Sequence, residues 1–296
     1  MRPCIVAVSA LTAALFCIPA QAQDAKLPAA VTQQIQQRIA ASHAEVAVAF
    51  RTLDAKSEYF LRADDSFHAA STMKIPVMIE LFHQVKEGKL HFDDPLVIHN
   101  EFHSIADGSV YKLDPAVDSE TDLYKAEGQT RTLRQLCDLM ITVSSNLATN
   151  LMIEKLGVEN IRATVHSLDA DGMHVLRGVE DQKAFDKGLN NTTTARALLQ
   201  LLAAIAQRKA VDAESSRQMV EILEHQKFNE GIPSGLPPGT RVAHKTGDIT
   251  RIHHDAAIVY APKPFVLVIL VRGLEPEKEN YALMGDLARI LYQATE

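Results

Sequence analysis

Three short runs in this chain carry side chains able to make and break an acyl bond. In Ser71-Thr72-Met73-Lys74, a spacing of three sets a hydroxyl and an amine on one face of a helix. A hydroxyl is a weak nucleophile and needs a base within hydrogen-bond reach. A lysine whose charge is disfavoured by burial can be that base. The start of a helix also presents free backbone N–H groups suited to an oxyanion. Ser144-Ser145-Asn146 offers a second hydroxyl to pass a proton to a leaving nitrogen and an amide to bind an acyl side chain. Lys245-Thr246-Gly247 offers a cation and a hydroxyl for a carboxylate, with a glycine that lets a substrate come close to the backbone. Each run alone also reads as an ordinary helix start, helix surface or strand end. Ser109-Val110-Tyr111-Lys112 repeats the first spacing in a Gly- and Asp-rich stretch with no helix behind it.

The elements that must position these runs follow from hydrophobic period. Residues 31–41 read as a polar-faced helix. Glu45 to Leu53 alternates, with Val46, Val48 and Phe50 on one face, as a half-buried strand does, and residues 59–62 return beside it. Helical spacing runs from Ser71 to Glu87, with Gly88 placed to end it. Residues 93–130 read as a long surface connection. Residues 132–156 read as one helix stopped by Gly157, 177–191 as a polar loop, and 192–207 as an apolar helix capped by threonines. Strands are expected at 240–246, 255–260 and 265–271, and an amphipathic helix at 281–293. Strands from both chain ends therefore build one antiparallel sheet flanked by helices, with an all-helical lobe inserted, an α/β (α+β) fold. The sheet lobe takes roughly residues 23–70 and 225–296 and the helical lobe 71–224, with a small-molecule cleft between them.

Composition narrows the classes. The chain has 296 residues, 47% apolar and 23% charged, which excludes disorder, collagen-like repeats and disulfide-dense scaffolds. Met1-Arg2, the apolar run Ile5 to Phe16 and Ala20-Gln21-Ala22 have the form of a signal peptide cleaved after Ala22, too short to remain as a membrane span. Bulky Phe16 argues against a lipid anchor on Cys17. An exported, periplasmic or secreted protein starting near Gln23 is expected. Cys4 and Cys17 leave with the leader, so Cys137, in an apolar helical pattern, has no partner for a disulfide. Net charge is −7, one more negative without Arg2, and no basic stripe marks a nucleic-acid partner. No Gly-x-Ser-x-Gly elbow, His-Glu-x-x-His motif or phosphate-binding glycine loop occurs. His253-His254-Asp255 enters a strand, where alternation separates the side chains, so neither metal nor cofactor is expected.

Ser-x-x-Lys, a Ser-Ser-Asn in the place of Ser-Asp-Asn, and Lys-Thr-Gly occur in the order that joins class A β-lactamases and penicillin-binding proteins. With Met140-Ile141-Thr142-Val143-Ser144 and Asn150-Leu151, the chain resembles a class A β-lactamase-related serine hydrolase over most of its length. The resemblance implies the β-lactamase/transpeptidase-like fold, a small β-lactam substrate, a monomer and no stable membrane anchor. It implies Ser71 as nucleophile and Lys74 as base, or Glu180 acting through water. Ser144, polarised by Lys245, delivers a proton to the ring nitrogen. Asn146 binds the acyl amide, and Thr246 with Lys245 binds the carboxylate. The N–H groups of Ser71 and Asp248, the latter beside Gly247, form the oxyanion hole, and Glu180 activates the deacylating water. Arg251 matches only loosely. The family's loop glutamate stands two residues after the arginine, whereas Glu180 stands three after Arg177. Ala184 replaces the asparagine usually four residues beyond that glutamate, Asn191 replaces an aspartate that pairs with the loop arginine, and Ser145 replaces the motif's aspartate. These departures bear on deacylation and leave the acylating groups intact. A D-alanyl-D-alanine peptidase and a β-lactam receptor that acylates and stops are the alternative readings.

Overall fold

The computed structural model describes residues 26–296. The expected leader, its cleavage after Ala22, Cys4 and Cys17 lie outside those residues. Five strands form an antiparallel sheet: β1 (Glu45–Thr52), β2 (Glu58–Leu61), β9 (Arg241–Ile249), β10 (Ile252–Tyr260) and β11 (Phe265–Arg272), ordered β2-β1-β11-β10-β9. Glu45 pairs with Arg272 and Thr52 with Phe265, so the first and last strands are central neighbours. Six shorter strands pair two by two outside this sheet: β3 (Phe67–His68) with β8 (Thr192–Thr193), β4 (Pro95–Val97) with β7 (Thr130–Thr132), and β5 (Phe102–His103) with β6 (Val110–Tyr111).

The sheet is covered on both faces. Helices α1 (Ala29–Ser42) and α9 (Glu277–Gln293) pack on the side of Val46, Val48 and Phe50, joined there by Leu267, Ile269 and Leu287. Ala47 and Ala49 face the other core, with α2 (Lys74–Lys86) and α7 (Ala195–Ala206). The alternation of β1 read as half-buried because Ala47 and Ala49 are small; both faces are in fact buried. The second core is completed by α3 (Leu133–Thr142), α4 (Asn146–Leu156), α5 (Val158–Ser167) and α8 (Ala213–Glu224), while α6 (Gln182–Asp186) sits in the loop before β8. Among the described residues no helix is long and apolar enough to cross a membrane.

Residues 132–156 do not form the single expected helix. α3 starts on a capping box between Thr132 and Gln135 and ends at Thr142. Ser144 takes a left-handed φ of 59°, and the Ser145 side chain then caps α4 by accepting from Ala148 N. Apolar periodicity continues across the break, which hides it from a pattern reading. Ser71 lies in a 3-10 turn, Ala70–Met73, that leads directly into α2. α2 ends as its spacing predicts, with Gly88 at φ 72° donating to Val85 O.

Strand β9 is an edge of the sheet and runs against the Ser71 turn. A Cβ on Gly247 would lie 3.0 Å from Thr72 N and 3.1 Å from Ser71 N. Gly247→Ala is therefore expected to force strand and turn apart and destabilise the fold by about 1–3 kcal/mol, measured by thermal unfolding. An unchanged midpoint would show that the turn yields without strain.

Candidate active site

The three runs meet in a cleft of about 740 Å³ between β9, the Ser71 turn, the α3–α4 break and the loop 177–191, with Ser71, Ser144, Asn146, Glu180, Thr246 and Asp248 in its lining. Ala70 holds a left-handed φ of 45° just before Ser71. Its N–H donates to His68 Nδ1 at 3.0 Å, and Thr72 Oγ1 donates to Ala69 O at 2.6 Å. The turn is thus fixed from both sides of the serine. Burial, then the Arg177 charge, lower the His68 pKa, in keeping with a neutral ring accepting at Nδ1.

Two lysines lie fully buried behind the cleft floor. Lys74 Nζ donates to Ser144 O at 2.7 Å, Asn146 Oδ1 at 3.0 Å and Ser144 Oγ at 3.2 Å. Burial, reinforced by the Lys245 charge, pulls its pKa well below the usual lysine value, against the opposing pull of Asp118 and Glu180. Lys245 Nζ donates to Thr246 O at 2.8 Å and Ser144 Oγ at 3.0 Å. Burial lowers it to about 8, with Asp248 and Asp255 opposing. Ser144 Oγ thus accepts from two amines, which leaves its own proton free to be given away.

Glu180 comes into the site despite its extra loop residue. Its backbone takes a φ of 59°, and that left-handed turn carries the side chain inward. Oε1 accepts from Asn146 Nδ2 at 2.8 Å and Oε2 from Asp114 N at 3.1 Å. Burial raises its pKa, opposed by those two hydrogen bonds and helped by the charges of Asp118 and Asp114.

The neighbouring Asp181 is not the solvated carboxylate that its place in a polar loop suggests. It is buried, caps α6 by accepting from Ala184 N at 3.0 Å, and accepts from Ser104 Oγ at 2.7 Å and Ile105 N at 3.0 Å. The loop neck closes without the ion pair that Asn191 would preclude. Asn191 exchanges hydrogen bonds with the backbone of Leu176 and Arg177, and the Arg177 guanidinium donates to Leu189 O, Gly178 O and Asn190 Oδ1.

Asn150 is a positioning residue whose role the sequence reading did not identify. Its side chain accepts from Val179 N at 2.6 Å and donates to Val179 O at 3.1 Å, pinning the loop one residue before Glu180. A Cβ on Gly178 would lie 2.5 Å from its Oδ1. The available signal was the i,i+4 spacing of Asn146 and Asn150, which places two amides on one face of an apolar helix.

Other candidates separate. Ser109 is on an exposed loop, where its Oγ donates to Asp107 and accepts from Lys183, while Lys112 pairs with Glu101. Arg251 pairs with Glu275. His254 Nε2 meets His68 O, and Asp255 meets His244. At the cleft mouth, Asp248, His253 and Glu277 bring ligand-type atoms within 4.8 Å of one another. The Tyr281 hydroxyl lies 3.1 Å from Asp248 and 2.7 Å from Glu277. Cys137 is a free cysteine, fully buried, and burial raises its thiol pKa.

Residues 30–295 match the Beta-lactamase enzyme family. Among curated relatives, a β-lactamase of Bacillus licheniformis is 26% identical over 170 residues, 55% of this chain and 55% of that protein. A β-lactamase of Bacteroides uniformis is 24% identical, over 56% of this chain and 60% of the relative. These two alignments thus span little more than half of each relative. The extended-spectrum β-lactamase PER-1 of Pseudomonas aeruginosa is 22% identical, over 88% of this chain and 86% of the relative. Among solved structures, PBP-A is 26% identical with a TM-score of 0.78, covering 91% of this chain and 98% of its own. A β-lactamase from Sphaerobacter thermophilus DSM 20745 is 25% identical with a TM-score of 0.77, covering 90% and 96%.

The adjacent carboxylates of the loop should respond oppositely to removal. Asp181→Ala strands three donors and should destabilise by about 1–3 kcal/mol. Glu180→Gln should raise the unfolding midpoint at neutral pH. The Glu180 pKa in the folded chain lies above 4.5, so the folded state binds more protons and loses stability as pH rises through that window. The gain from Glu180→Gln should fade as pH falls toward 4.5, read by thermal unfolding from pH 4 to 8.

Proposed function

Since the chain belongs to the Beta-lactamase enzyme family, we propose that it is a serine hydrolase that opens the β-lactam amide through an acyl-enzyme on Ser71. The carrying observation is that two buried lysines converge on the Ser144 hydroxyl at 3.2 and 3.0 Å beside Ser71. Ser71 Oγ attacks the lactam carbonyl. Its proton goes to Lys74, kept neutral by burial and by Lys245, or to Glu180 through a water; the two routes are alternatives within the same reading. The oxyanion is held by the N–H groups of Ser71 and Asp248, supported by the close approach of Gly247 to that turn. Ser144, polarised by Lys245, then gives its proton to the ring nitrogen as the C–N bond breaks, and the Lys74 ammonium restores it. Asn146 binds the acyl amide, and Thr246 with Lys245 binds the carboxylate.

Hydrolysis of the ester follows when Glu180, its pKa raised by burial, takes a proton from a water whose oxygen adds to the acyl carbon. The Ser71 Oγ–carbon bond then breaks and Ser71 takes that proton back. Export after cleavage near Ala22, a single catalytic domain over 23–296 and a monomeric state complete the proposal.

The likeness to PBP-A, a point mutant of which is described as an acyl-enzyme complex with penicillin-G, favours one second reading. In it the chain is a penicillin-binding protein or D-alanyl-D-alanine peptidase with slow deacylation. Ala184 supports this, because it is buried and supplies no side-chain amide near Glu180.

Time-resolved mass spectrometry with a penicillin separates the two. A transient adduct is expected, lost entirely in Ser71→Ala and retained in Ser109→Ala. Glu180→Gln should still acylate but lose about 10²–10⁴-fold in deacylation, so its adduct accumulates. A long-lived adduct in the parent that Glu180→Gln leaves unaltered would favour the peptidase. Above pH about 8 Lys245 loses its charge, so KM for carboxylate-bearing substrates should rise there.

A further inference from the structure

Asp118, outside all three runs, lies in the turn that follows the 3-10 turn Pro115–Val117 and is buried. Its Oδ2 accepts from the first-turn N–H groups of α4, Asn146 N at 2.8 Å and Leu147 N at 2.9 Å. The same oxygen accepts from Tyr124 OH at 2.8 Å and Ser145 Oγ at 3.4 Å. Oδ1 accepts from Glu120 N at 3.0 Å. A helix start leaves such N–H groups without partners and favours a negative charge beside them. Ser145, where the family motif has an aspartate, caps Ala148 N but brings no charge.

We propose that Asp118 is a second positioning residue of this site, a carboxylate supplied from a separate turn that locks the Ser144–Asn146 break so that Ser144 and Asn146 receive Lys74. The proposal rests on the acyl-enzyme reading above. Ser144 keeps its left-handed backbone only while its surroundings hold it there, and the following residues are held by Asp118. Lys74 takes all three of its acceptors from Ser144 and Asn146, so a shift of this turn moves the amine as well. The charged groups facing Lys74 are Lys245 from β9, Asp118 from its turn and Glu180 from the loop. Those facing Glu180 are Asp114, Asp118 and Lys74.

Exchange of the two side chains tests this. The full-length parent, Asp118→Ser, Ser145→Asp and the variant with both changes are compared for the rate of Ser71 acylation by benzylpenicillin across pH, with thermal unfolding alongside. Asp118→Ser should acylate about 10²-fold more slowly, the loss typical of a misplaced reacting group. Its ascending limb should move to lower pH, because Lys74 has lost a neighbouring negative charge and stays neutral at lower pH. Ser145→Asp alone sets two carboxylates together and should also lose activity. The exchange restores a carboxylate at the start of α4, so it should regain about tenfold over Asp118→Ser and return the limb toward the parent's.

Parent-like acylation in Asp118→Ser overturns the proposal, as does a slowed rate with an unmoved limb and no recovery on exchange. If Asp118→Ser does not fold, Tyr124→Phe removes one bond from the same carboxylate and should slow acylation about tenfold; a parent-like rate there overturns it. If the parent itself forms no adduct, the acyl-enzyme reading is what fails. The four unfolding midpoints then test the lock, which requires the exchange to recover the loss seen in Asp118→Ser.

Discussion

Two amine-bearing side chains buried under one hydroxyl set the terms for the rest of this molecule. Moving a charge out of water is unfavourable unless it is paired or neutralised. Lys74 and Lys245 are both fully buried and meet at Ser144 Oγ. Each needs further acceptors, and the fold supplies them as the Ser144 carbonyl, the Asn146 amide and the Thr246 carbonyl. The interruption between α3 and α4 follows from this need. An unbroken helix would spend the Ser144 carbonyl on its own ladder, whereas the left-handed turn aims it at Lys74.

The same arrangement makes the lysines chemically useful. Burial and mutual repulsion favour a neutral Lys74, while Asp118 and Glu180 limit the effect. Lys245, beside Asp248 and Asp255, is lowered to about 8. Two like residues thereby have different neighbours in one cleft, an amine pressing Lys74 toward neutrality and two carboxylates favouring charge on Lys245. That condition suits one to accept a proton and the other to remain a cation. The edge position of β9 allows its backbone to lie against the Ser71 turn with only a glycine between them.

The loop 177–191 solves a separate problem, holding a carboxylate near these amines without an ion pair at its neck. Arg177 and Asn191 close it with neutral acceptors, Asn150 pins Val179, and Asp181 fastens it to the residue 104–105 turn. Glu180 reaches Asn146 because its own backbone turns left-handed. Counting residues from Arg177 does not reveal that change of direction, and counting charges does not separate Asp181, which is structural, from Glu180, which faces the cleft.

Hydrophobic period made the sheet legible: 265–271 as a continuous apolar run, 45–53 as an alternating one. Glycines 88 and 157 marked helix ends because a left-handed residue there is easiest without a side chain. The three runs and their order were legible as well, since residue type and local spacing are properties of the chain itself. The sequence alone thus determined which side chains were available, which elements would carry them and that both chain ends would share a sheet. Only the tertiary structure decided that Ser109 stays on the surface while Ser71 faces the cleft, that Ser144 breaks a helix, and that Asp118 and Asn150 hold the groups around it. The partners of these bonds lie 27 to 101 residues apart. Whether such groups meet depends on packing and burial, which no local pattern records.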